Sequence, residues 1–333
     1  MEYTKLGNTG LEVSKLCLGT WRFGKESGGV VETGREEAHE LLSAFAERGG
    51  NFIDTANVYG GGDSERWIGE WLDGRDREEF VVASKVYWTR ESRPDENLSR
   101  KTIRAEVEGT LDRLGTEYLD LYYIHRWDEE TPIEETLSTL SQLAEEGKVH
   151  YLGASTMAAW KLTKALWKAD AGGYQRFDVT QPLFHAAYRD DVVDYLNVCD
   201  DQDLAVCPYS PLAGGFLTGK YERQGGEVVG PEGSRADLDA NFEDYYVSER
   251  GWQVLDTVRT VAKEVDATPA QVALRWLIDQ DRFTCVPIVG ARTVEQIEEN
   301  VGAVGVDLTD DQHDCISEAR YDEDGQRWGH RGD

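Results

Sequence analysis

The sequence has few cysteines, and their arrangement does not indicate a disulfide-stapled fold. There are five, an odd number, at Cys17, Cys199, Cys207, Cys285 and Cys315, and no two of them form a C-x-x-C pair. The pattern therefore indicates neither a disulfide framework nor a cysteine-based zinc site. Widely spaced free cysteines are typical of a reducing compartment, so we predict a cytoplasmic protein.

Long hydrophobic runs are also missing. No stretch approaches the roughly 18 consecutive apolar residues that a membrane-spanning helix needs. The first residues, MEYTK, lack the basic and then apolar segments of a secretory signal. We therefore expect no membrane segment.

Basic residues are scarce relative to acidic ones. The chain has 24 arginines and 11 lysines against 64 acidic residues, and its formal net charge is -29. Such a field repels polyanions, which excludes nucleic acid and anionic lipid as main partners and favours a small molecule. An acid excess of this size is typical of proteins from salt-rich cytoplasm, so we interpret the protein as halophilic; an ordinary acidic protein is the alternative.

Nothing in the sequence divides the chain. It has no fixed-period repeat, low-complexity tract or proline-rich linker, and at 333 residues it is long for one domain, although α/β barrels commonly reach this length. We predict a single domain over 1–333 that ends in a loosely ordered polar tail at 322–333.

The chain does contain a regular alternation of strand-like and helix-like segments. Apolar runs typical of buried strands lie near 15–19, 51–54, 80–85, 119–125, 149–155, 177–181, 204–208 and 284–289. Amphipathic segments with helical spacing lie between them, among them 35–48, 97–114, 133–146, 158–169 and 270–279. This order predicts an α/β fold, a (β/α)8 TIM barrel, with an N-terminal β-hairpin at 3–12 and a long loop at 221–248 near strand seven.

Three consecutive predicted strands each end in an ionisable group. Asp54 ends the second strand, Tyr59 follows it by five residues, Lys85 ends the third strand and His125 the fourth. Because a barrel gathers its catalytic groups at the carboxyl ends of its strands, we expect these four side chains to converge.

Each of the four has a chemical role in such a cluster. A phenol with a reference pKa of about 10 is a reluctant acid, so Tyr59 needs a nearby cation to donate a proton, and Lys85 supplies it. Asp54 would hold Lys85, and His125 would orient a substrate carbonyl. Taken singly, Asp54 and Lys85 would equally suit a structural ion pair. The sequence shows no metal-ligand cluster and no nucleophile elbow, so a cofactor is expected to carry the reaction.

These residues resemble the aldo-keto reductases, in particular the branch that includes the potassium-channel β subunits. The likeness covers nearly the whole chain, through segments at 6–10, 18–21, 59–65 and 287–293. It implies a (β/α)8 barrel whose catalytic residues are Asp54, Tyr59, Lys85 and His125. The channel-subunit relatives carry Asn where His125 stands, so the resemblance implies a working reductase.

The resemblance also implies a nicotinamide cofactor, NADP(H). The residues it assigns to cofactor binding are Thr20, Trp21, Asp54, Ser155, Thr156, Gln181, Tyr209, Ser210, Pro211, Leu212, Gly219, Lys220, Gly290, Arg292, Gln296, Glu299 and Asn300. The guanidinium of Arg292 suits a 2′-phosphate, which favours NADP over NAD. The family's usual Ser-Asn pair after strand five is Ser155-Thr156 here, so one carboxamide contact is weakened or replaced by a hydroxyl. The family's lysine-serine pair near Arg292 is absent, so NAD stays open as the alternative.

Aromatic residues follow several of the predicted strands. Trp21, Trp88 and Trp127, with Tyr59 and His125, are predicted to form the substrate pocket for an apolar carbonyl compound. Packing within the loops is the alternative for the three tryptophans.

The sequence thus predicts an NADP(H)-dependent oxidoreductase that transfers a hydride between nicotinamide and an aldehyde or ketone, or the corresponding alcohol, with Tyr59 as general acid. One alternative is an NADPH-binding, redox-sensing regulatory subunit with little turnover. A barrel aldolase that uses Lys85 as a Schiff base is a third hypothesis, which the neighbouring Asp54 disfavours. A homo-oligomer is compatible with the sequence.

Overall fold

The computed structural model describes residues 1–27, 30–89, 96–189, 192–224, 227–238 and 242–319. The predicted polar tail, 322–333, lies outside the described residues. The strands are β1 Tyr3–Lys5, β2 Glu12–Ser14, β3 Cys17–Gly19, β4 Glu26–Ser27, β5 Val30–Val31, β6 Phe52–Asp54, β7 Val81–Val86, β8 Leu119–Ile124, β9 Val149–Ser155, β10 Val179–Gln181, β11 Ala205–Val206, β12 Glu222–Gln224, β13 Glu227–Val229 and β14 Ile288–Val289. The helices are α1 Arg35–Glu47, α2 Asp63–Leu72, α3 Arg100–Leu114, α4 Ile133–Glu145, α5 Ala159–Gly172, α6 Val193–Asp201, α7 Arg235–Leu238, α8 Phe242–Tyr246, α9 Glu249–Glu264, α10 Pro269–Ile278, α11 Val294–Gly302 and α12 Asp310–Glu318.

Eight strands form one parallel sheet, in the order β11-β10-β9-β8-β7-β6-β3-β14. Its two outer strands are also linked, because Val206 bridges Cys285 in parallel and the Ile288 amide donates to the Pro208 carbonyl at 3.0 Å. The sheet therefore curls back on itself, as a (β/α)8 barrel does. Each of the eight predicted strand runs overlaps one of these strands, and the predicted α/β fold with a parallel sheet is confirmed.

The central strands have buried residues on both faces. Every residue of β7 and of β8 is buried, which is the pattern of parallel strands covered by helices outside and side chains inside. Along β7, Val81 and Ala83 join the interior cluster, whereas Val82 belongs to the larger cluster shared with the helices. The same alternation points Lys85 inward, towards the carboxyl end of the sheet.

The N-terminal segment covers the other end of the sheet. Strands β1 and β2 pair antiparallel, with Tyr3 opposite Ser14. Leu6 and Val13 are fully buried in the interior cluster with Phe52 and Val81, which begin β6 and β7. Access from the amino ends of these strands is thereby blocked by packed side chains.

The segment 221–248 contains more local structure than its composition indicated. Strands β12 and β13 pair antiparallel, and two short helices, α7 and α8, follow. Ser248 then caps α9 by accepting a hydrogen bond from the Gly251 amide at 2.9 Å. No helix in the described part of the chain is long and apolar enough to cross a membrane.

Candidate active site

A cavity of about 1110 Å³ opens at the carboxyl ends of the strands. Asp54 ends β6, Lys85 is the penultimate residue of β7, and His125 directly follows β8. Tyr59 lies in a helical turn, Tyr59–Gly62, that the chain makes after β6. This turn needs glycine, since Gly60 has φ 56° and an added Cβ would lie 2.3 Å from the Phe23 carbonyl oxygen. Asp54, Tyr59 and His125 line the cavity, and the fully buried Lys85 lies behind them.

Lys85 is the centre of the cluster. Its fully buried Nζ donates to Asp54 Oδ1 at 2.5 Å, to the Thr55 carbonyl at 2.8 Å and to Tyr59 OH at 3.1 Å. Three acceptors satisfy all three ammonium protons, which fixes the side chain in one position. The Tyr59 hydroxyl is therefore held against a cation at the edge of the cavity.

Burial and charge act against each other on these groups. Burial alone would lower the pKa of Lys85, but Asp54 and Tyr59 together hold this pKa above its ordinary value. Burial raises the pKa of Tyr59, and the Lys85 charge offsets only part of that increase. Burial also raises the pKa of Asp54, with Lys85 and Gln181 acting in the opposite direction. At neutral pH the cluster thus combines an ammonium ion with a protonated phenol.

His125 completes the wall above Tyr59. Its ring meets the Tyr59 ring edge-on at 5.9 Å and the Trp88 ring at 4.6 Å between centroids. Burial, reinforced by the charges of Lys85 and Arg126, holds the pKa of His125 well below its ordinary value. The imidazole is therefore neutral at pH 7, and its buried Nδ1 has no hydrogen-bond partner in the described protein.

A series of hydrogen bonds also connects Asp54 to the ends of β9 and β10. Gln181 Nε2 donates to Asp54 Oδ2 at 2.9 Å, and Ser155 Oγ donates to the Gln181 carbonyl at 2.8 Å. Thr156, with φ 48°, turns the chain away from the end of β9 and lies on the cavity wall. The predicted carboxamide-binding residues are therefore contiguous with the catalytic cluster.

The outer part of the cavity is lined by cations and exposed backbone. We call the five basic side chains there the mouth cluster: Arg22, Lys25, Lys220, Arg235 and Arg292. The other predicted cofactor residues on this wall are Trp21, Tyr209, Ser210, Pro211, Leu212, Gly290, Gln296, Glu299 and Asn300. Helix α11 begins here, with Thr293 as its N-cap, so its amino-terminal dipole adds to the positive field.

A sequence model of the Aldo/keto reductase family matches residues 15–320 of the chain. The chain belongs to this family. It is therefore an oxidoreductase of a family that generally uses nicotinamide cofactors and acts on small carbonyl compounds.

Several relatives in this family are similar over most of their length. The norsolorinic acid reductase stcV of Emericella nidulans is 34% identical over 314 residues, which cover 91% of this chain and 77% of the relative. The uncharacterized oxidoreductase YrpG of Bacillus subtilis is 35% identical over 322 residues, 92% of each chain. An aryl-alcohol dehydrogenase of Pestalotiopsis microspora is 32% identical over 315 residues, 90% of this chain and 77% of the relative.

Four residues predicted for the site do not line the cavity of this aldo/keto reductase: Lys85, which is buried behind Asp54 and Tyr59, and Thr20, Gly219 and Trp127. Thr20 is fully buried and donates to the Asp54 carbonyl at 2.9 Å, so it supports the floor. Gly219 ends the turn before Lys220. Trp127 lies in a separate cleft, with its ring centroid 6.5 Å from that of Trp160.

The structure also places residues on the wall that sequence reasoning did not assign. Arg22 and Lys25 come from the segment after β3, and Arg235 and Tyr246 come from the long segment before α9. Two basic residues close together, Arg22 and Lys25, in so acidic a chain could have indicated a site for an anionic ligand. Their convergence with Arg292 was not readable, since 267 or more positions separate them in sequence.

In the part of the chain that the structure describes, no group of three or more His, Cys, Asp or Glu side chains is arranged to hold a metal ion.

Proposed function

We propose that this protein transfers a hydride between NADP(H) and an aldehyde or ketone, with Tyr59 as the general acid. The observation that carries the proposal is the position of Lys85 Nζ, 2.5 Å from Asp54 and 3.1 Å from the Tyr59 hydroxyl, at the inner end of a large cavity. When bound, the cofactor supplies or accepts the hydride; the protein's own residues bind, orient and handle the proton.

The donor set on the cavity wall suits a dinucleotide. Ser155 and Gln181 offer hydroxyl and amide groups beside the catalytic cluster, as a carboxamide requires. The mouth cluster and the start of α11 offer positive charge at the other end, as phosphates require. Between them Gly214 and Gly215, with φ 64° and 97°, let a ligand approach the backbone closely. We infer that Tyr209 packs on the nicotinamide ring.

Proton transfer is assigned to the Tyr59 hydroxyl. Because burial raises the pKa of Tyr59, the phenol keeps its proton at neutral pH and is able to donate it to the oxygen of a carbonyl being reduced. Lys85 stabilises the phenolate that remains, and Asp54 holds Lys85 in place. The neutral His125 donates a hydrogen bond to the same substrate oxygen and orients it.

The preference for NADP over NAD is attributed to Arg292. Its guanidinium lines the cavity beside the N-terminus of α11 and donates to the Gly233 carbonyl at 3.0 Å. A planar guanidinium binds a phosphate with two parallel hydrogen bonds, which an adenosine ribose lacking that phosphate does not offer.

The substrate is proposed to be an aromatic or otherwise apolar carbonyl compound. Trp21 and Trp88 lie on the wall with Tyr59 and His125, so the reacting oxygen would be surrounded by ring surfaces. An aryl-alcohol dehydrogenase and several norsolorinic acid reductases are among the relatives, and their names agree with this class. Trp127, in its separate cleft, is no longer included in this pocket.

A panel of aldehydes, ketones and alcohols, assayed with NADPH and with NADH, tests the proposal together with direct titration of both cofactors. We expect saturable reduction of aryl aldehydes and a lower dissociation constant for NADPH. Tight NADPH binding with no turnover on any compound would favour the regulatory subunit instead. Failure to bind either dinucleotide would overturn the proposal.

We also propose that the protein works at high salt. The net charge of -29 leaves the surface carboxylates mutually repulsive at low ionic strength.

A further inference from the structure

Three cations at the cavity mouth share one carboxylate. Glu32 pairs with Arg22, with Lys25 Nζ at 3.1 Å and with Arg292 Nη2 at 4.0 Å. Its side chain is only 10% exposed, so these contacts are partly shielded from water. All three cations line the cavity, whereas Glu32 contacts them from beside it.

The backbone holds Glu32 in this position. Strands β4 and β5 form a hairpin after β3, and across it the Glu32 amide donates to the Lys25 carbonyl at 2.8 Å. The Gly24 amide likewise donates to the Thr33 carbonyl at 3.0 Å. Arg292 comes from the opposite direction, after β14, so Glu32 connects two separate segments at the cavity mouth.

The cations of the mouth cluster lie close enough to lower one another's pKa values, although Glu232 and Glu299 also line the cavity. Burial and the charges of Arg292 and Arg235 lower the pKa of Arg22, although Glu32 acts in the opposite direction. Burial, Arg292 and Arg22 also lower the pKa of Lys220. These cations repel each other within a chain that is otherwise strongly acidic, an arrangement that suits a ligand carrying several negative charges.

We propose that Glu32 neutralises Arg22, Lys25 and Arg292 in the ligand-free protein, and that a phosphate group of the dinucleotide displaces it from them. The inference rests on the dinucleotide binding proposed above and adds a residue that opposes it. The 2′-phosphate and the pyrophosphate share this chemistry. Glu32 thereby weakens dinucleotide binding, and the loss of affinity increases with the number of its ion pairs that the phosphate must break.

The size of the effect follows from the exposure of the contacts. Partly exposed ion pairs contribute little individually, and a threefold to tenfold change in affinity corresponds to about 0.7–1.4 kcal/mol in total. Removing the competing charge should therefore tighten phosphate binding by about threefold to tenfold.

The test is Glu32→Gln, which keeps the shape and removes the charge. Dissociation constants for NADPH, NADH and inorganic pyrophosphate are measured by calorimetry without substrate. The expected result is tighter NADPH binding by the factor given above. Tightening confined to NADPH identifies the 2′-phosphate, and tightening of all three ligands identifies the pyrophosphate. Glu134→Gln, which removes a carboxylate paired with Lys168 on the outer helices, is the control for net charge and should change little.

Unchanged NADPH binding by Glu32→Gln would overturn the inference, because Glu32 would then not compete with phosphate. Weaker binding would overturn it as well, because Glu32 would then orient the cations. The proposed function would stand in that case, since the wild-type protein still binds NADPH. A wild-type protein that binds no dinucleotide would overturn both. If the glutamine variant does not fold, Glu32→Asp keeps the charge but shortens its reach to Arg292. It should tighten NADPH binding by a smaller factor, and weaker or equal binding would again contradict the inference.

Discussion

The hydroxyl of Tyr59 is one oxygen atom on which the proposed chemistry depends. Tyr59→Phe should lower turnover by about 10²- to 10⁴-fold, the range for removal of a positioned general acid. NADPH affinity should stay nearly constant, because Lys85 keeps Asp54 and the Thr55 carbonyl as partners. Tyr87→Phe, next to Trp88 but outside the main cavity, is the matched control. Wild-type turnover in Tyr59→Phe would refute the role.

The pH dependence of the reaction follows from two shifted groups. The pKa of Tyr59 is raised above 10, so the donor stays protonated and the rate of carbonyl reduction should be flat from about pH 6 to pH 9. Alcohol oxidation needs the phenolate and should increase with pH over the same range. His125, whose pKa lies well below 6.5, should add no inflection near that value. An inflection near neutrality that disappears in His125→Gln would contradict this.

The turn that carries Gly214 and Gly215 is the element that shapes the middle of the cavity. At Gly214, φ is 64° and an added Cβ would lie 2.8 Å from Tyr246 Cε2. Gly214→Ala should therefore cost about 1–2 kcal/mol in unfolding free energy and also weaken NADPH binding, because Tyr246 must move. Gly74→Ala, with φ 80° and open space around it, should cost similar stability and leave binding unchanged. Equal affinities in the two variants would show that Tyr246 does not contribute.

Elements with a continuous apolar signal could be predicted from the sequence, and those without it could not. The eight parallel strands were predicted from short, largely apolar runs, of which β7 and β8 are buried along their whole length. Helix α2 was not singled out, because its buried face includes Ser64 and Glu65, whose partners are polar groups in other segments. Helix α11 buries only Ile297 and Asn300, which is too little for a periodic pattern.

The same limit applies to the site. Asp54, Lys85 and His125 could be predicted because each lies at or next to the carboxyl end of a strand, and these ends meet in a parallel barrel. The contacts of Glu32 could not, since they depend on a hairpin that is paired by backbone hydrogen bonds and on an arginine from the far end of the chain. Trp127 shows the converse error, in which nearness to a strand end did not give the direction of the side chain.

The acid stability of the whole molecule should depend on His185. It is buried, neither ring nitrogen has a hydrogen-bond partner among the described residues, and burial beside Arg189 lowers its pKa to about 3. The imidazole binds a proton more readily in the unfolded chain than in the folded one. The contribution of neutral His185 to the free energy of unfolding is therefore complete above about pH 6.5 and is lost as the pH falls towards 3. The slope is about 1.4 kcal/mol per pH unit. Denaturant titrations should show a shallower loss of stability in His185→Leu than in wild type, and parallel curves would contradict it.

Salt should stabilise the molecule as a whole. Salt screens the repulsion between surface carboxylates, whose range falls to about 3 Å at molar salt. Because the net charge is -29, this repulsion is strong at low salt and its screening should stabilise the fold. The thermal midpoint should therefore rise between low and molar KCl. Sucrose at matched osmolarity is the control for general exclusion effects, and a flat response to KCl would remove the halophilic interpretation.

The burial of four cysteines makes thiol reactivity a measure of whether the barrel is folded. Cys17, Cys199, Cys207 and Cys285 are enclosed by the sheet and its helices, and burial raises their thiol pKa values, so alkylating reagents meet neither an open path nor a thiolate. Cys315, on α12, faces solvent. In the intact fold, Cys315 is thus the one cysteine thiol available to a reagent, and modification of the other four marks molecules whose barrel has opened.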